Sequence, residues 1–210
     1  VSRDSEELER LQRAFDGLRL GDLRVGEQAD EGLARLAAGP AVRYGLDRRA
    51  PGPDVWRVDA SGWTHQAPSP RAFFAQLIAL DLAAGEDVTA ALRRFRWATE
   101  GASPFPAFED ARPRGGESQS AWFVRLGIAG GDHAMGAALE SGEPFDGARE
   151  RDHLRRFPGH VPALAHRLQR LLDAGDREGA RAVATTLRSL PPHRLAGQAG
   201  LLAAITRLNP

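Results

Sequence analysis

A chain of 210 residues that is 42% hydrophobic can fill one sizeable core, and its 28 basic and 28 acidic residues cancel to a formal net charge of zero, so no bulk field recruits nucleic acid or an acidic membrane. Every basic residue is Arg, and the sequence holds neither Lys nor Cys. Schiff-base and pyridoxal chemistry, a Walker lysine, thiol nucleophiles, disulfides and thiolate zinc sites are thereby excluded. Replacement of Lys by Arg beside abundant Ala, Gly and Pro is what GC-rich coding produces, so the Arg content is not read as a nucleic-acid signal. No run of about 18 apolar residues offers a membrane span. The acidic residues close behind Val1, with no apolar segment there, do not resemble a secretory signal, and a cytoplasmic location is expected.

Asp4 and Glu7 stand in capping-box spacing ahead of a helical stripe of Leu8, Leu11, Phe15 and Leu18. Leu20-Gly21-Asp22 reads as a stop and a new start, and Val25, Ala29, Leu33 and Leu36 predict a second helix, which Gly26 and Gly32 weaken and Gly39-Pro40 ends. Residues 41–67 are rich in Gly, Pro, Asp and Arg and read as a long loop, with at most a small β-hairpin pairing Val55–Asp59 with Trp63–His65. Ser69-Pro70 is a good N-terminal cap for a helix carrying Phe73, Leu77, Leu80 and Ala84, and Val88, Ala91, Leu92 and Phe95 face inward from the next. After a Pro-rich loop over 101–116, Ala121, Trp122, Leu126 and Ala129 predict a helix that Gly130-Gly131-Asp132 turns back. A polar link follows, with room for a short helix over 148–157. The clearest pattern is an αα-hairpin: Val161, Leu164, Leu168 and Leu171 on one helix, Ala174-Gly175-Asp176 as its turn, and Ala180, Val183, Ala184 and Leu187 on the return. Leu195 to Leu208 closes the chain as a terminal helix.

Gly85, Gly130 and Gly175 recur at a spacing of 45 residues, each preceded by Ala and followed closely by an acid. That period lies in the range of helical-repeat units. The predicted fold is therefore all-α: antiparallel hairpins at about 4–38, 69–100, 117–141 and 160–190 with a terminal helix at 192–208, stacked as a short repeat array in a single domain.

The Leu-x-x-Ala-Gly-Asp-x-x-x-Ala pattern from Leu171 to Ala180 resembles tetratricopeptide-like hairpins. The Trp56-Arg57-Val58-Asp59 segment, the Pro70–Leu82 helix and the closing Ala196–Ile205 helix are similar in order and flavour to the immunity 49 family of bacterial polymorphic-toxin systems. That resemblance implies a small helical protein that binds and silences a toxin, and it carries over no functional residue.

Candidate chemistry is sparse. His153, His160 and His166 are seven and six residues apart, which is not the three or four that sets two metal ligands on one helical face, and His65, His133 and His193 stand alone; no metal or cofactor is expected. Gly116-Glu117-Ser118-Gln119-Ser120 is not a nucleophile elbow, the adjacent carboxylates Glu109 and Asp110 fall in a loop, and Gly127–Gly131 lacks the strand and the Lys of a phosphate loop. The expected function is recognition of a protein partner, a cognate toxin in its sharpest form, without catalysis. Loop aromatics Trp56, Trp63, Phe105 and Phe108 with His65 would anchor the partner, and Arg151, Arg155 and Arg156, from a basic stretch that extends through Arg149, Arg167 and Arg170, would pair with its acids. Two rivals are a helical-repeat adaptor and a small helical enzyme using carboxylate and His chemistry, with Asp59 and His65 as its pair.

Overall fold

A computed structural model describes residues 3–26, 29–30, 32–50, 52–105, 111–142 and 144–208. It corrects the all-α expectation. After α1 (Arg3–Phe15) come seven strands: β1 (Arg19–Leu20), β2 (Leu23–Val25), β3 (Ala29–Asp30), β4 (Leu33–Ala38), β5 (Arg43–Asp47), β6 (Val55–Asp59) and β7 (Gly62–Ala67). They form one sheet in the order β1-β2-β4-β5-β6-β7, with β3 also on β4, and the pairings from β1 through β6 are antiparallel. The return helix expected after Gly21, and with it the hairpin at 4–38, is therefore absent among the described residues; the segment 41–67, read as a loop with at most a small β-hairpin, carries β5 as well, and the expected hairpin segments Val55–Asp59 and Trp63–His65 fall in the neighbouring strands β6 and β7.

The helical reading failed because its stripe is split between two faces. Leu33 pairs with Asp47, and both are buried. Between Arg35 and Ala37 the register against β5 shifts by one residue, a β-bulge that sends Leu36 and Ala37 together into the core. Two leucines three apart are thus buried on opposite sides of a strand. Gly26 and Gly32, at φ +159 and +97, take conformations that helices do not use.

Helices follow: α2 (Pro70–Ala84), α3 (Thr89–Ala98), α4 (Gln119–Arg125), α5 (Gly131–Glu140), α6 (Gly147–Arg156), α7 (Val161–Asp173), α8 (Arg177–Ser189) and α9 (Ala199–Leu208), with a 3₁₀ turn at Pro192–Leu195. None of the described helices is long and apolar enough to cross a membrane. The chain divides into two compact units, residues Val1–Ala60 with Thr64–Ala137, and Ser61–Trp63 with Ala138–Pro210.

In the first unit α2 is the central element. Ser69 caps it by accepting from Ala72 N–H, Pro70 opens it, and Gly85 at φ +86 ends it. Every residue from Ala72 to Ala79 is buried, as befits a helix that is apolar nearly all round. Phe74 stacks on Phe15 of α1 at 4.6 Å between ring centroids, and Phe73 meets Tyr44 of β5 at 5.1 Å.

The second unit holds α6 to α9. Here the predicted hairpin is found: Gly175 turns at φ +73, and Asp176 caps α8 by accepting from Gly179 N–H. The 45-residue recurrence does not survive as a repeat, because Gly130 plays a different part from Gly85 and Gly175. The left-handed turn after α4 is made by Gly127 at φ +73. Gly130 instead donates its N–H to Gln66 O of β7 at 3.2 Å, and a Cβ there would overlap the Gln66 carbonyl.

Gly130→Ala is accordingly expected to cost about 1–3 kcal/mol through forced separation of backbones, and Gly127→Ala, in open space, about 1 kcal/mol through its positive φ. Urea midpoints measure both. A Gly130→Ala midpoint equal to wild type would show that the close approach is not needed.

Candidate functional site

The first unit encloses a chain of hydrogen-bonded polar groups. Gln76, on α2 and 1% exposed, directs Nε2 to two backbone carbonyls, Gln66 O at 3.1 Å and Ile128 O at 2.6 Å. Only an NH₂ group can satisfy both, so the other terminus is the carbonyl, and it accepts from Gln66 Nε2 at 2.8 Å. The second hydrogen of that Gln66 amide meets His133 Nε2 at 3.1 Å. His133 Nε2 is therefore the acceptor and the ring proton is on Nδ1, which faces Ser120 Oγ at 3.4 Å. Ser120 receives an N–H where a nucleophilic serine needs a lone pair to take its proton. The Ser120–His133 pair is set with the wrong polarity for attack.

His65, 4% exposed on β7, is fixed in the same way. Its Nδ1 accepts from Gly131 N–H at 2.8 Å, which puts the ring proton on Nε2, 3.2 Å from Asp54 Oδ1. Its own backbone N–H donates to Asp132 Oδ2 at 2.6 Å, and Trp56 lies against its ring at 5.1 Å. Asp59, its suggested catalytic partner, is instead paired with Arg57 at 2.7 Å. Ser118 is the cap of α4 and accepts from Ala121 N–H. Glu117 beside it is clamped by Arg125 at 2.8 and 2.7 Å, which lowers its carboxyl to about 2.

The second unit carries the other constellation. Glu150 of α6 is fully buried, and its carboxylate faces three cation-forming side chains of α7: Arg170 at 3.0 Å, His166 at 3.2 Å and Arg167 at 3.6 Å. Hydrogen bonding to Glu150 raises the Arg170 guanidinium above its ordinary value. Next to it His153 Nε2 and His160 Nδ1 are 2.9 Å apart and buried, with Phe145 and Phe157 packed on His153. Asp146 caps α6 through Ala148 and Arg149 N–H, and those bonds lower its carboxyl. Among the described residues no cluster of three or more His, Cys, Asp or Glu could hold a metal ion.

The residues singled out from sequence scatter accordingly. Trp56, His65 and Phe105 are 5%, 4% and 2% exposed, so they are interior groups of the first unit and offer a partner no surface. Trp63 is half-buried against the His193 ring at 4.5 Å. Phe108, with Glu109 and Asp110, lies outside the described residues. Arg151, Arg155 and Arg156 are exposed on α6, Arg155 paired with Asp152 at 3.1 Å and Arg156 over the Phe157 ring. Sequence reasoning missed Gln66, Gln76 and Glu150. Glu150 sits between arginines in the sequence with no local signal of burial, and only the position of α7 makes it a buried counter-ion. The His153–His160 pair had a readable signal, since seven residues spanning Phe157-Pro158-Gly159 join one helix end to the next helix start.

No protein family, curated protein or solved structure matches the chain.

Burial holds His133 below its ordinary value of 6.5, Arg57 adding to this and Asp132 opposing it. The unfolded chain therefore takes up a proton at a higher pH than the folded one. The stability this group contributes is complete above about pH 6.5 and is lost as pH falls through the lower folded value. Urea unfolding at pH 7.5 and pH 5 is expected to show a drop that His133→Gln reduces; equal drops in the two proteins would remove His133 from the pH response.

Proposed function

We propose that this chain is a non-catalytic protein-binding protein that meets its partner through the arginine face of α6. The observation that carries this reading is the direction of the charges on that helix. Glu150 is turned inward and consumed by Arg167, Arg170 and His166, while Arg151, Arg155 and Arg156 point outward with Asp152 as their acidic neighbour. A surface of this kind selects an acidic protein face, and Arg is the residue best suited to paired carboxylate contacts. The polarity of the Ser120–His133 pair and the Arg57 partner of Asp59 count against the hydrolytic alternative built on these groups.

Within this reading the specific form is an immunity protein of the bacterial cytoplasm, which silences a toxin by covering its active or essential surface. Toxins that act on nucleic acids or phosphates carry acidic catalytic or metal-binding groups, and an arginine face would occlude such a site by charge pairing. Trp63, half-buried in the same unit as α6, would add apolar contact.

Side-by-side affinity capture with wild type and with Arg151→Glu/Arg155→Glu/Arg156→Glu tests it. One stoichiometric partner is expected to be retained by wild type at ~0.15 M salt and weakened at least about tenfold, ~1.4 kcal/mol, by the triple variant, with the helical CD unchanged. A partner bound equally by both would dismiss the α6 face, and capture of no stoichiometric partner would dismiss the binding role.

A further inference from the structure

The sheet face opposite Leu36 and Ala37 buries Leu33, Asp47 and Trp56 at one end and carries a second, separate concentration of arginines at the other, placed there by strand register. Arg19 of β1 is directly opposite Arg24 of β2, Arg24 is opposite Ala38 of β4, and Ala38 is opposite Arg43 of β5. Directly opposed residues of an antiparallel ladder share a face. Arg19, Arg24 and Arg43 therefore stand in one row across the sheet, separated only by the small side chain of Ala38, and all three are exposed.

The β-bulge adds a fourth. Without the shift between Arg35 and Ala37, strict alternation would put Leu36 beside Ala38 on this face and Arg35 in the core. With it, Leu36 is 1% exposed in the core and Arg35 pairs with Gly45, two residues along β5 from Arg43 and so on the same face. Next to this row is a cleft of about 430 Å³ lined by Arg24, Arg35 and Ala38, with the Asp16 carboxylate as the one acidic group of its lining. That volume lies within the range of small-molecule sites.

The placement works against the fold. Like charges directly opposite on paired strands repel, and neither Arg19 nor Arg24 has an ion-pair partner among the described residues. Such an arrangement is relieved by an anion that several guanidinium forks can share, and phosphate is the group whose charge and oxygen geometry match them. No aromatic ring is exposed along the row, whereas a surface for single-stranded nucleic acid offers rings on which bases stack.

We propose that this cleft binds a small phosphate-bearing ligand, held by Arg24 and Arg35 with Arg19 and Arg43 taking a second anionic group. The occupant is a free phosphorylated molecule, because the site is a walled cleft on a short sheet edge. This site lies in the first unit and stands independently of the partner surface on α6.

Calorimetry and thermal unfolding with inorganic pyrophosphate at matched ionic strength test it. Saturable one-to-one binding is expected, with the unfolding temperature raised by about 3–5 °C at a tenfold excess over Kd. Arg24→Gln should weaken binding at least about tenfold and, by relieving the repulsion with Arg19, raise the unfolding temperature of the ligand-free protein by about 1–2 °C. Arg35→Gln should weaken binding likewise, and Arg155→Gln on α6 should leave it unchanged. The opposite signs of the two Arg24→Gln effects distinguish a ligand site from a structural contact. Absence of saturable binding, affinity unchanged in Arg24→Gln, an equal shift with sulfate in wild type and variant, or binding confined to a 12-nucleotide single-stranded DNA or to vesicles containing phosphatidylinositol 4-phosphate would each overturn the proposal.

Discussion

The buried amide of Gln76 is the constraint on which the first unit depends. A polar group inside a helix buried on all sides costs stability unless each donor and acceptor is met. Here the donors reach Gln66 O and Ile128 O, and the acceptor takes the Gln66 amide. Three segments are tied by one side chain: α2, β7 and the connection into α5. The Gly130 approach to β7 closes the same junction, its N–H meeting the Gln66 carbonyl that also accepts from Gln76. The proton position on His133 follows from that tie, because it is dictated by a Gln66 amide that Gln76 has already oriented.

The same logic separates interior from surface throughout the described residues. Polar groups that resemble catalytic parts, His65, His133, Ser118 and Ser120, are engaged with backbone or neighbouring side chains that fix their protons for cohesion. Glu150 is spent inward against α7. Arginines remain among the exposed groups, on α6 in one unit and along the Arg19–Arg24–Arg43 row in the other.

Much of the helical part was legible from sequence because its signals are local. Ser69-Pro70 and Gly85 bound α2 as caps, and Gly175-Asp176 marks the α7–α8 turn, each through the conformational demands of single residues. The sheet was misread for a physical reason. Strands β1 to β4 are two to six residues long, and the one with most apolar content is buried on both faces around a bulge, so alternation is erased and a spacing of three remains. The matched spacing of Gly85, Gly130 and Gly175 misled in a related way: glycine serves both left-handed turns and close backbone approach, and sequence does not tell them apart. Trp56, in a segment that reads as a loop or at most a small hairpin, and Phe105, which reads as a loop residue, point to the surface in sequence alone, but both are interior. Contacts between distant segments, such as Glu150 with Arg170 or Gln76 with Ile128, have no local signature at all.

The most direct test of this account is the tautomer of His133, read from the nitrogen chemical shifts and long-range proton couplings of its imidazole in ¹⁵N-labelled protein near pH 7.5. The hydrogen-bond chain from Gln76 through Gln66 predicts protonated Nδ1 and unprotonated Nε2. A proton on Nε2 with Nδ1 open toward Ser120 would contradict it, and would make that pair a base and a nucleophile.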